Sequence, residues 1–151
     1  MIDLIFTPIF IIYGVILYKV GKQDFDGRDV NPELMIALLA MTLALCIWYQ
    51  WIPFVFMVVF TLMYYANIWL HKSGKPTEYG WGDIIAYPTF FAMATAQYDM
   101  FLGMILAILP LLLTKRSHRM ISPKDKNPGI PLMWYCFIVY LISFVITIVV
   151  F

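Results

Sequence analysis

Asp83 follows a Gly-x-Gly turn, Gly80-Trp81-Gly82-Asp83, at the edge of an apolar segment where a carboxylate needs a reason to be present. Burying a charge near lipid is costly unless it is paired or shares a proton, so such a residue is a functional candidate by default. Asp24, in Asp24-Phe25-Asp26-Gly27-Arg28-Asp29-Val30, lies just past another apolar segment. Two carboxylates in one site are the minimum equipment for acid-base hydrolysis. The ionised one takes a proton from water while the protonated one polarises the carbonyl. That chemistry needs no metal and no cofactor. Arg28 reads as a loop cation paired with Asp24 or Asp29.

Other chemistries fit poorly. His71 and His118 fall in different gaps between apolar segments, and Cys46 and Cys136 stand singly inside the second and sixth segments. With no CxxC or HxxxH there is no metal-site spacing, and both cysteines read as packing residues. Ser73, Ser117 and Ser122 lack the Gly-x-Ser-x-Gly turn of an activated serine.

The elements that must position the two aspartates are membrane helices. The chain is 63% hydrophobic and 13% charged, with a mean hydropathy of +0.84. A soluble domain is about 45–50% apolar and about 25% charged. The expectation is an all-α integral membrane protein, a six-helix transmembrane bundle in a single domain over residues 1–151. The spans read as Leu4–Val20, Glu33–Trp48, Ile52–Leu70, Ile84–Ala96, Met100–Leu113 and Leu132–Val150. They are helices because only helices or closed barrels satisfy the backbone in lipid, and no ten-residue alternating strands occur. The fourth and fifth are short, about 20 Å at 1.5 Å per residue. The fourth is therefore expected to start inside the protein, which would shield Asp83. Pro88 fits that helix without a kink only if it begins near Ile84 or Ile85, and Asp83 would then be an N-cap.

Charge orients the bundle. All 10 Lys and Arg residues fall in the first, third and fifth gaps or at their borders: Lys19, Lys22 and Arg28; Lys72 and Lys75; Lys115, Arg116, Arg119, Lys124 and Lys126. By the positive-inside rule these gaps are cytoplasmic and both termini lie outside, which puts Asp24 and Asp83 at one membrane face. The first segment carries Asp3 instead of a basic n-region, so it reads as a span rather than a signal peptide. A net charge of +1, without basic clusters interleaved with aromatics, gives no basis for nucleic-acid binding.

With Gly80-x-Gly82-Asp83 at a helix start, Asp24-x-x-x-Arg28-x-Val30 in the first gap and Ile130-Pro131-Leu132 opening the last helix, the chain resembles the type IV prepilin peptidases. The likeness is nearest to the compact archaeal preflagellin and prepilin peptidases and runs over almost the whole chain in order and topology. It implies a GxGD aspartyl endopeptidase of the plasma membrane that cuts basic leader peptides from pilin-like precursors at the cytoplasmic face. The catalytic pair would be Asp24 and Asp83, supported by Gly80, Gly82 and Arg28. Ile85 stands where many members carry a lysine. The cysteine-containing soluble insert of the larger bacterial members is absent. The partners implied are a membrane-anchored pilin-like precursor and the lipid bilayer, with self-association left open. Asp26, Asp29, Glu33 and Glu78 are the acids available to meet a basic leader. The alternative is a non-catalytic small subunit of a larger membrane complex, whose aromatic-rich helices (18% Phe, Trp and Tyr) pack against partners.

Overall fold

The computed structural model describes residues 7–26, 30–73, 80–98, 100–118 and 131–150. These residues form six helices and no strand: α1 (Thr7–Asp26), α2 (Pro32–Leu45), α3 (Ile52–Lys72), α4 (Trp81–Gln97), α5 (Met100–His118) and α6 (Leu132–Val150).

The bundle is built around α4, which packs against α2, α3, α5 and α6. Its composition permits this. Ala86, Ala92, Ala94 and Ala96, with Thr89 and Thr95, present little bulk on any side, so neighbouring helices can close in all round and leave these residues buried. α5 approaches closely, and a Cβ on Gly103 would lie 2.5 Å from the Thr95 Cα. Tyr87 reinforces the same seam by donating its hydroxyl to the Ala107 carbonyl at 2.6 Å. α1 and α6 run antiparallel along each other, with the Tyr140 hydroxyl donating to the Phe10 carbonyl at 2.8 Å. A buried contact of 3.3 Å between Tyr13 Oη and Thr89 Oγ1 links α1 to α4.

The apolar core also holds several polar side chains, and large apolar side chains cover much of the exterior. Thr42, Thr89, Thr95, Gln97, Thr114 and Ser143 are buried, whereas Ile36, Leu43, Phe54, Leu62, Phe101 and Ile146 face outward. The buried hydroxyls are satisfied within their own helices, as in Thr42 Oγ1 to the Leu38 carbonyl at 2.9 Å. Among the described residues, one helical stretch, Ile52–Trp69 of α3, is long and apolar enough to cross a membrane by length and composition. Pro32–Leu45, Met100–Thr114 and Leu132–Thr147 are apolar but shorter.

The sixth helix has the bounds read from the sequence; several others do not. α1 continues past Val20 to Asp26, so Asp24 is helical rather than a loop residue. α4 starts at Trp81 and has 17 residues, which puts Pro88 inside the helix rather than in its first turn. α5 has 19 residues and reaches His118, and His71 lies within α3, so neither histidine belongs to a loop. In each case polar residues at the end of an apolar run still continue the helix, because the backbone bonds are favourable whichever side chain they carry. α2 errs the other way and ends at Leu45, followed by turns through Trp51.

Candidate active site

Asp24 occupies the last turn of α1 and is only 6% exposed. Its Oδ2 accepts the main-chain N–H of Met133 at 3.0 Å. The donor exists because α6 begins just after Pro131, and the first amides of a helix have no partner within it. The approach is permitted by Gly21, one turn before Asp24, where a Cβ would stand 3.0 Å from the Met133 carbonyl oxygen.

Asp83 is the third residue of α4 and 7% exposed. Its Oδ2 accepts the Gly80 N–H at 3.1 Å, which is the acidic half of a capping box. Gly80, not Asp83, is the N-cap, and having no side chain it cannot supply the reciprocal bond. The sequence expectation of Asp83 as N-cap is corrected accordingly. Both carboxylates thus lie at helix N-termini, Asp24 at that of α6 and Asp83 at that of its own helix, where free amides and the helix dipole favour negative charge.

α6 joins the two. The Cys136 thiol, fully buried one turn beyond the start of that helix, is within electrostatic range of both Asp24 and Asp83. The chain between α1 and α2 adds a second link. Gln23 Oε1 accepts the Asn31 N–H at 2.9 Å, and Asn31 in turn caps α2 by accepting the Glu33 N–H at 2.9 Å. Beside Asn31, Val30 comes against the Gly80–Asp83 turn, its Cγ2 3.9 Å from where a Cβ on Gly82 would be.

The other expected site residues divide. Asp26 and Glu33 are exposed at this end of the bundle, at the α1 terminus and the α2 start. Arg28, Asp29 and Glu78 lie outside the described residues. Gly80 and Gly82 precede Asp83, and among the described residues the nearest atom to a Cβ at Gly80, beyond its chain neighbours, would be the Gly82 nitrogen at 4.0 Å. Two participants were not anticipated as such, the Met133 amide and Cys136. The Pro131-Leu132 helix start was a usable signal for the first. Nothing in the spacing of a lone cysteine marked the second. Among the described residues no group of three or more His, Cys, Asp or Glu side chains could hold a metal ion.

No protein-family model, curated protein or solved structure matches the chain. The site's own chemistry is two buried carboxylates, each with a main-chain donor, Asp24 at the first turn of α6 and Asp83 at the first turn of α4.

Proposed function

We propose that the chain is a membrane-embedded aspartyl endopeptidase that removes leader peptides from type IV pilin-like precursors at the cytoplasmic membrane face. The observation that carries this is the burial of Asp24 and Asp83, from well-separated positions in the sequence, at the same end of the bundle, where Asp24 bonds the start of α6 and Val30 approaches the turn that holds Asp83. The many large apolar side chains on the exterior support a lipid environment. The confinement of all 10 Lys and Arg residues to the odd-numbered gaps and their borders supports a cytoplasmic site with both termini outside. The likeness to prepilin peptidases supports the substrate class.

In this mechanism the two aspartates share one proton, because neighbouring carboxylates do not both ionise cheaply. The ionised one draws a proton from a water that attacks the scissile carbonyl. The protonated one hydrogen-bonds the carbonyl oxygen and then helps protonate the departing amine. The pair titrates as a unit, so neither residue owns the base role. Among the described residues no atom beyond the local backbone comes closer than 3.9 Å to a Cβ at Gly80 or Gly82, which supports room beside Asp83 for a substrate backbone.

Asp24→Asn and Asp83→Asn test the mechanism, since Asn keeps the size and most of the acceptor capacity while ending proton transfer. Each variant should remain folded and lose about 10³-fold or more in cleavage of a pilin-like precursor. Asp26→Asn should stay within about twofold, as expected for an exposed acid away from the proton transfer. Wild-type cleavage by either of the first two would overturn the protease assignment. Orientation is tested separately in a Cys46→Ala background: a cysteine at Lys72 should react with an impermeant thiol reagent only from the cytoplasmic side, and one at Gln50 only from outside.

One observation favours the subunit alternative. Each carboxylate already accepts a main-chain N–H, Met133 for Asp24 and Gly80 for Asp83, and acids can be kept for that purpose alone. The same Asn variants decide it, because a purely capping role leaves processing unchanged.

A further inference from the structure

The seam between α1 and α6 opens outward as a groove of about 300 Å³, distinct from the aspartate pair. Gly14 is among the residues that line it, with Ile11 and Val15 from α1 and Phe137, Leu141 and Phe144 from α6. At the end nearer Asp24 the groove reaches Tyr18, whose ring lies 5.1 Å from Phe137 and 6.3 Å from Trp134. Phe25 continues the aromatic row, 5.6 Å from Trp134. Between Tyr18 and Phe25, on the same face by helical register, stands the exposed Lys22. Lys19 is exposed as well, and the exposed acid of these turns is Asp26, Asp24 being buried against Met133.

We propose that this groove binds one acyl chain of an anionic phospholipid whose phosphate is held by Lys22. The proposal rests on the membrane reading above and is independent of peptidase activity. Depth supports it. The stretch from Phe10 to Tyr18 rises about 12 Å at 1.5 Å per residue, close to the ~15 Å of a single leaflet's hydrocarbon. Tyr18 and Trp134 then fall at headgroup level, where amphipathic rings settle, and Lys22 one turn further out at phosphate level. Charge decides between the possible occupants. A precursor helix preceded by a basic leader would bring cations against Lys19 and Lys22, whereas an anionic headgroup is complementary to them.

Native mass spectrometry of the detergent-purified protein with phosphatidylglycerol or phosphatidylcholine of identical chains tests the site. One phosphatidylglycerol should be retained per chain, at least tenfold more readily than phosphatidylcholine. Lys22→Gln and Lys22→Glu should each abolish that preference. Val15→Trp, which fills the groove from an exposed position, should reduce retention of both lipids, and Lys72→Glu on α3 should change neither. Soluble glycerol phosphate should not displace the lipid. Undiminished preference in both Lys22 variants would overturn the headgroup contact, and undiminished retention in Val15→Trp would overturn the groove. Because cleavage is not the readout, a protein that retains lipid yet fails to process precursors sinks only the peptidase assignment. Release of the chain from membranes by alkaline carbonate would sink the membrane reading and this proposal together.

Discussion

Two pairs of glycines occupy opposite kinds of space. At Gly103 and Gly21 the volume of a methyl group is already claimed by the protein's own main chain, with Thr95 Cα at 2.5 Å from the first and the Met133 oxygen at 3.0 Å from the second. At Gly80 and Gly82 no atom of the described residues beyond the local backbone lies closer than 3.9 Å to the same point. The first pair lets helices touch, α5 on α4 and α1 on α6. The second pair borders Asp83 and meets no such obstruction among the described residues, so its smallness is available to something other than the fold. This separates glycines that build the bundle from glycines that leave room at the site.

Substitution by alanine breaks or sharpens that distinction. Gly103→Ala should have the largest effect, a loss of about 2–3 kcal/mol, because the obstructing atoms are backbone and cannot rotate away. Chemical unfolding in detergent micelles measures it, and an unchanged midpoint would show that the α4–α5 seam can open at little cost. Gly21→Ala should cost about 1–2 kcal/mol by the same measurement. It should also lower cleavage about tenfold, since a shift of α6 of order 1 Å moves the Met133 amide that holds Asp24. Gly82→Ala should have the smallest effect on stability, between zero and a gain of about 1 kcal/mol, because alanine favours the helix it enters. A fall in kcat/KM at unchanged or raised stability would identify the space as substrate room; unchanged kcat/KM would reduce these glycines to tolerated turn residues.

How much of this was legible beforehand can be judged from particular residues. Hydropathy located all six helices, since long apolar runs separated by charged gaps leave few alternatives, and α6 agrees at both ends. The ends of α1, α4 and α5 were less legible because they continue through polar residues such as Lys22, Gln23 and Arg116, which an apolar window excludes. The structure places Gly103 in the α4–α5 seam, where a Cβ would meet the backbone of Thr95. Asp24 and Asp83 could be singled out because a charge at the end of an apolar run is costly. Cys136, within electrostatic range of both, could not, because proximity across three helices leaves no spacing in the chain. The register of α1 on α6 was equally hidden, depending as it does on Gly21, Tyr140 and the start of α6 together.

The bond from Asp24 to Met133 has a consequence for how the sequence can drift. Its donor is a peptide nitrogen, so the contact does not depend on which side chain position 133 carries. No compensating change at 133 need accompany variation there, and a search for correlated positions would miss the partnership altogether. Nineteen of the twenty residue types preserve the donor, and proline alone removes it.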